Sequence, residues 1–513
     1  MTTGRRGDGE TGRRGDRHRN SPGRPLAPSP PRPLARALLV VAAVTIYAGF
    51  TDSFPKVFGL LVGTGLLVYS VERAPEWIVA ILLVGQFILH WISSLGGADI
   101  SRDNPLSGPL LPMYVLGGGL VVTRILLVRR KRRGHPWSLA AQLLMLCAAL
   151  LGVMIAAGLL YSPAPMSART KTLGYFAFNL APSALVVLLV DSEERLVRLA
   201  KAVIVVGLLM AVFTHLGHDT MEGGAGAGLY NIGEGKYGID IGGARFAGGT
   251  WFARRLDLVM VSLLVVAHPQ AGTRSSRKIL LLALLALIPY LAYLLFLSGA
   301  RGAIAGGAIA FMVVLTLLTV MARSGRALRI TMIALLLLVI AAGMTSVREE
   351  ALAQEIVQRY TALEHPFQTE EAGADRLQFW RSAWETFEDH PLFGIGSGGW
   401  GMVWNKQDYR DFPHNIFLEI LCEEGLVGGL LFSLFFFGTM RLVWKVMRHP
   451  LTTPRGKTLA IWAIGILTFA GLDAQLSGDI QTNDYIWIAA AIICVLARVS
   501  LTAQHTQRGE GQG

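Results

Sequence analysis

His414 stands between Pro413 and Asn415 at the mouth of a segment that turns purely apolar after Glu424. A neutral imidazole placed there can accept a proton from a hydroxyl. The plainer alternative is an interfacial histidine that only caps a helix. Glu419 and Glu423 follow one helical turn apart, so they share a face. Ionisable groups at membrane depth are disfavoured by on the order of a few kcal/mol each, and they are retained mostly where they serve a function. These two carboxylates would line a polar cavity, orient His414 or pair with an arginine, unless the helix start simply lies amphipathic in the interface. Asn415 is either the cap of that helix or a substrate contact.

Two arginines have the character of anion ligands. Arg301 sits in the turn Leu297-Ser298-Gly299-Ala300-Arg301-Gly302 between apolar stretches, and Arg245 lies in Gly242-Gly243-Ala244-Arg245-Phe246-Ala247-Gly248-Gly249. Glycine lets a backbone approach a ligand closely, and a guanidinium meets phosphate bidentately. Snorkelling to lipid headgroups is the alternative for both. The run from Gly394 to Gly399 lacks the Gly-Lys-Ser/Thr ending of a nucleotide-binding loop. No acidic cluster has metal-ligand spacing, no HExxH or Gly-x-Ser-x-Gly elbow occurs, and no cofactor is expected.

The elements that must position these residues are membrane helices. Of 513 residues, 52% are hydrophobic and only 16% charged, a composition that excludes an ordinary soluble enzyme. The net charge of +12 is spread over an Arg-rich N-terminal tail and short loops such as Arg129-Arg130-Lys131-Arg132-Arg133. Cytoplasmic loops carry such an excess, so no nucleic acid is expected as partner. The three cysteines, Cys147, Cys422 and Cys494, form no zinc or disulfide pattern.

Apolar periodicity predicts an all-α, polytopic membrane bundle of about 12–14 transmembrane helices, with one large extracytoplasmic helical loop. The expected spans are 35–50, 57–72, 77–95, 109–128, 137–160, 172–190, 198–216, 249–268, 278–297, 302–322, 328–345, 416–440, 458–476 and 484–500. Segments 57–72 and 249–268 are the weakest; the second contains Arg254, Arg255 and Asp257. The organisation read from this is a disordered cytoplasmic tail over 1–34, a membrane bundle over 35–345, an outer loop domain over 346–413, C-terminal membrane helices over 414–500 and a cytoplasmic tail over 501–513. Basic alternate loops put both termini of a multi-pass membrane protein in the cytoplasm and the candidate site outside. Within the outer loop, 347–356 is rich in helix formers. A second helix is expected from Asp375 to Phe387, with Leu377, Trp380, Trp384 and Phe387 on one stripe, before His390-Pro391 breaks it. That stripe, with Trp400, would pack the loop or stack against sugar.

At these residues the sequence resembles the O-antigen ligase and O-antigen polymerase superfamily. His414-Asn415 with Leu418, Glu423, Gly425 and Gly428 is similar to the family's His-Asn-x-x-Leu, Glu-x-Gly, Gly signature. The stretch running from Arg376 through Trp380, Ala383 and Phe387-Glu388-Asp389-His390-Pro391-Leu392-Phe393-Gly394-Ile395-Gly396 resembles its lead-in. The turn Ser298 to Arg301-Gly302 is similar to its Ser-Arg-Gly turn, with Gly299-Ala300 loosening the spacing, and Arg245 resembles its upstream arginine. The resemblance covers roughly 240–440.

What it implies is metal-independent, inverting glycosyl transfer on the outer face of the cytoplasmic membrane. The donor would be a glycan on undecaprenyl pyrophosphate, and the acceptor a glycolipid or glycan hydroxyl, with membrane lipid around both. His414 would act as base and Glu423 as its companion, with Arg245, Arg301, Asn415 and Glu419 binding substrate. A polymerase of the same superfamily is the alternative within this chemistry. A lipid-linked glycan flippase or other transporter is the alternative of another class, though no internal symmetry of paired halves is seen.

Overall fold

The computed structural model describes residues 75–84, 138–217, 239–241, 244–246, 249–268, 270, 286–295, 300–321, 374–408 and 411–510. The expected spans 35–50, 57–72, 109–128 and 328–345, the N-terminal tail and the 347–356 helix lie outside these residues. In chain order the helices are α1 Pro75–Val84, α2 Leu139–Gly158, α3 Pro165–Gly174, α4 Ala181–Leu189, α5 Glu193–Gly217, α6 Gly249–Ala267, α7 Ala286–Leu295, α8 Arg301–Met321, α9 Ala374–Asp389, α10 Trp400–Asn405, α11 Ile416–Arg448, α12 Pro454–Asp473 and α13 Tyr485–Glu510. A π-helical turn, Tyr175–Leu180, joins α3 to α4. A short antiparallel hairpin, β1 Ile239–Ile241 and β2 Ala244–Phe246, is the exception to the all-helical plan among the described residues, with Asp240 opposite Arg245.

Five stretches are long and apolar enough to cross a membrane: Leu139–Gly158, Pro165–Leu189, Gly302–Met321, Ile416–Arg448 and Pro454–Asp473. α1, α7 and Tyr485–Ser500 are shorter apolar helices. The protein is therefore a multi-pass, all-α membrane protein.

Side-chain contacts define two ends of the bundle. At one, Glu76 at the start of α1 pairs with Arg198 at 3.1 Å, Thr453 donates to Glu193 at 2.7 Å and Arg455 meets Glu194 at 2.6 Å. At the other, the Ile416 N–H donates to the Ala474 carbonyl at 2.9 Å, bringing the start of α11 onto the end of α12. Gly302 packs there as well: a Cβ on it would lie 3.1 Å from Asp473 Oδ1. Asp408, in the loop ahead of α11, caps α3, accepting from the Met166 and Ser167 N–H groups at 2.9 Å each. A carboxylate at a helix N-terminus satisfies otherwise orphaned donors and complements the dipole.

The charged segment 249–268 does form a helix, α6. Its charges stay in the bundle because they are paired inside it. Arg254, 3% exposed, forms an ion pair with Asp473 and donates to the Ser477 and Thr482 carbonyls at 2.8 and 2.7 Å. Arg255, 1% exposed, lies 3.8 Å from Asp484 and 5.5 Å from the Tyr485 ring centroid. Together they fix the connection between α12 and α13.

α11 is broken. Gly425 has φ 65° and ψ −163°, a conformation open essentially to glycine alone. Unpaired backbone groups within a membrane are strongly disfavoured. The loop segment after His390-Pro391 fills the gap. Ile395 and Gly396 N–H donate to the Cys422 and Glu423 carbonyls at 3.0 and 2.9 Å, while Leu426 and Val427 N–H donate to the Pro391 and Leu392 carbonyls at 2.8 and 3.3 Å. Gly394 and Gly425 lie so close to the facing backbone that a Cβ on either would collide with it. Gly425→Ala should therefore lose about 1–3 kcal/mol from backbone strain alone. In Gly438→Ala, by contrast, the added methyl meets only the tip of Leu144, at 2.6 Å from Cδ2. Thermal unfolding in detergent checks this; equal melting points for the two variants would refute it.

The helix expected from Asp375 to Phe387 differs from expectation in its buried face. α9 runs Ala374–Asp389, close to the expected bounds, but Leu377 and Trp384 are exposed. The packed side is Phe379, Ala383 and Phe387, against Trp400, Trp404 and Cys422. The stripe read from the large apolar residues is thus rotated around the helix. The reason is that the ladder at four-residue spacing, with a small alanine in the middle, lets Trp400 pack flush against α9.

Candidate active site at the broken-helix end

His414 is held in a left-handed backbone conformation, φ 56°. Such a residue is uncommon outside glycine, and strain of this kind persists only where the surroundings enforce it. The surroundings here are aromatic. The imidazole stacks on Phe379 of α9 at 5.9 Å between centroids and meets Phe412 edge-on at 4.6 Å. Its Nδ1 is buried and has no hydrogen-bond partner among the described residues. Burial first, and the Arg376 guanidinium second, push its pKa down from 6.5 to about 4; Asp479 opposes them. The imidazole is therefore neutral near pH 7, the form that accepts a proton.

Asn415 caps α11, its Oδ1 accepting from the Phe417 and Leu418 N–H groups at 3.1 Å each. This fixes the helix start and, with it, the position of His414.

Glu419 and Glu423 face a lysine. Lys171 Nζ lies 2.6 Å from Glu419 Oε1 and 2.5 Å from Glu423 Oε2, with all three side chains 1–2% exposed. Two backbone donors complete the cluster. Gly398 N–H reaches Glu423 Oε2 at 2.8 Å, and Ile480 N–H reaches Glu419 Oε2 at 3.1 Å. One cluster thus ties α3, the glycine-rich segment Gly394–Gly399, α11 and the α12–α13 connection together. Glu424, the next residue of α11, is hydrogen-bonded to Ser397, whose hydroxyl also contacts the Ile155 carbonyl at 2.8 Å. Asn179, in the π-helical turn, donates to the Ile480 carbonyl at 2.7 Å, anchoring the same connection.

The expected arginines are placed through their backbones. Arg301 begins α8, next to Gly302, which packs on Asp473. Arg245 lies in β2, just ahead of α6, the helix whose Arg254 reaches Asp473 and the α12–α13 connection. The structure thus brings His414, Asn415, Glu419, Glu423 and the tip of α8 to one end of the bundle, with the Arg245 hairpin at the mouth of α6 on that end.

Three residues here were not singled out as candidates from sequence. Lys171 lies one residue before the expected span 172–190; a lysine in an apolar stretch is itself a signal. Arg376 lay within the lead-in to the His-Asn block. Asp479 sits in a short polar turn that carries no recognisable motif.

Residues 282–433 match the O-antigen ligase family. This part of the chain is similar to the O-antigen ligase family's domain. The matched segment contains Arg301, Arg376, His414, Asn415, Glu419 and Glu423. The match supports an O-antigen ligase-like or polymerase-like function. No curated protein matches the chain.

Proposed function

We propose that this protein moves a glycan from an undecaprenyl-pyrophosphate carrier to an acceptor hydroxyl on the outer face of the cytoplasmic membrane, in the manner of an O-antigen ligase. The observation that carries the reading is His414: a half-buried, neutral imidazole whose buried Nδ1 has no hydrogen-bond partner among the described residues, held in a left-handed conformation at the bundle end where α8 also begins. As the acceptor oxygen attacks the anomeric carbon from the face opposite the leaving group, its proton passes to His414 and the configuration inverts. The departing pyrophosphate needs cations already in place, and Arg245 and Arg301 are assigned that role. Glu419 and Glu423 act through Lys171, holding the start of α11 and therefore His414 in register; their role is positioning. The outer loop, stitched into the break at Gly425 and lying over His414 through Phe379, shapes the acceptor side. The bundle end bearing His414 faces outward, and both termini lie in the cytoplasm.

The test is reconstitution. Purified protein is offered an undecaprenyl-pyrophosphate glycan with either a lipid A–core acceptor or a second lipid-linked glycan. The expected product is a glycan transferred whole onto lipid A–core. Chain growth on the carrier would move the assignment to a polymerase, and no transfer to either acceptor would refute glycosyl transfer.

A further inference from the structure

The exposed faces of α2 and α11 locate the bilayer on this bundle. Along α11, Leu426, Leu430, Leu434, Phe437 and Trp444 are exposed at helical spacing, so they form one apolar stripe. By the helical rise per residue the stripe is about 27 Å long, close to the roughly 30 Å of a hydrocarbon core. Its far end carries interfacial groups. The Arg448 guanidinium lies 3.8 Å from the Trp444 ring centroid, and Arg441 and Lys445 are exposed beside them. α2 packs alongside α11 and exposes Leu139, Leu146 and Val153 in a matching stripe. The near end, at Leu426, adjoins the break at Gly425. The edge of the apolar band therefore coincides with the place where the loop is stitched into α11.

Two loop side chains lie at that edge. The Leu426 and Val427 N–H groups donate to the Pro391 and Leu392 carbonyls, which sets Leu392 and Phe393 level with the first residue of the stripe. They are 60% and 56% exposed, although the residues just before them, Glu388, Asp389 and His390, are exposed and polar. The turn is tied down from α2 as well. Tyr161, just past that helix, donates its hydroxyl to the Phe393 carbonyl at 2.8 Å, and Leu160 beside it is exposed. Leu160, Leu392, Phe393 and Leu426 thus make one apolar rim, continuous with the stripe on α11.

We propose that the turn carrying Leu392 and Phe393 is a membrane-inserted wedge whose partner is the acyl chains of the leaflet at the His414 end of the bundle. The loop ahead of α11, expected from sequence to lie wholly outside the membrane, then has a foot in it. A protein partner would have to cover a rim that runs without interruption into lipid, whereas acyl chains cover rim and stripe at once. The turn follows α9 directly, so the wedge also fixes the height at which Phe379 stacks on His414. This contact stands on the membrane fold and is independent of the glycosyl-transfer reading.

Site-directed spin labelling tests it. Full-length protein with Cys147→Ala retains only the buried Cys422 and Cys494. A single added cysteine, at Phe393→Cys, Leu430→Cys or Gln407→Cys, is labelled with a nitroxide. Each protein is reconstituted in vesicles of phosphatidylethanolamine and phosphatidylglycerol that contain no polyprenyl carrier. Electron paramagnetic resonance then reads collision with oxygen, which partitions into lipid, and with a water-soluble nickel complex. The Phe393→Cys label is expected to match the Leu430→Cys label in oxygen collision, with nickel collision about tenfold below that of the loop reference Gln407→Cys. Nickel collision equal to that of Gln407→Cys overturns the proposal. So does shielding from both relaxants, the mark of a protein contact. Loss of nickel collision only after undecaprenyl phosphate is added also overturns it, because the rim would then belong to the carrier's chain. If Phe393→Cys does not fold, Leu392→Cys takes its place under the same criteria.

Discussion

His414→Asn is expected to reduce glycan transfer by about 10²- to 10⁴-fold, the usual contribution of a positioned general base, while the protein still inserts and folds. Asparagine is the informative replacement because it tolerates the left-handed backbone that His414 adopts at φ 56°; alanine would add strain to the loss of the base. The pH profile gives a second reading of the same group. Burial among Phe379 and Phe412 and the neighbouring Arg376 hold the histidine near 4. The acid limb of kcat/KM for the wild-type enzyme should therefore fall near pH 4 rather than near 6.5. The sign for stability follows from the same depression. The unfolded chain takes up a proton as pH drops through about 6.5, while the folded chain does so only near 4, so the histidine's share of stability is complete above 6.5 and declines between these values. A His414→Asn enzyme that transfers glycan at the wild-type rate would remove His414 from the chemistry.

Lys171→Met should be the most destabilising single change in the bundle. It strips the cation from between Glu419 and Glu423 and leaves two carboxylates buried at 1% and 2% exposure. Breaking a buried ion pair from one side is disfavoured by about 3–5 kcal/mol, because the remaining charge is uncompensated. The Gly398 and Ile480 N–H donors soften this but do not neutralise it. Removing all the charges together is a different matter, since a neutral cluster of similar volume is often tolerated. Lys171→Met combined with Glu419→Gln and Glu423→Gln should recover much of the lost melting temperature. If the carboxylates only position α11, the triple variant should also retain measurable transfer; folded but fully inactive protein would put Glu423 in the chemistry itself. A Lys171→Met single variant as stable as wild type would show that the cluster contributes little.

Much of this architecture is written locally. Long apolar runs force helices because a bilayer leaves no other way to satisfy the backbone, so α2, α8, α11 and α12 begin and end near where periodicity places them. The polar mouth of α11 is equally legible: Pro413, His414 and Asn415 mark a helix start, and the glutamates one turn apart mark a shared face. Local pattern reaches its limit where a partner comes from far along the chain. The carboxylates of α11 point to some cation, yet the one they meet, Lys171, is 248 positions from Glu419. The buried side of α9 followed the residue that packs on it, Trp400, rather than the largest apolar side chains on the helix.

By its composition and the His-Asn-Glu block, the sequence determined a helical membrane protein with a histidine at a helix tip, because hydrophobic runs and local spacing are properties of the chain itself. Only the tertiary structure decided that a lysine holds the glutamates, that α11 is broken at Gly425 and stitched by the loop ahead of it, and that Phe379 stacks on the histidine. Those outcomes depend on how distant helices cross and on which backbone groups are left needing partners, and neither is encoded within a single segment.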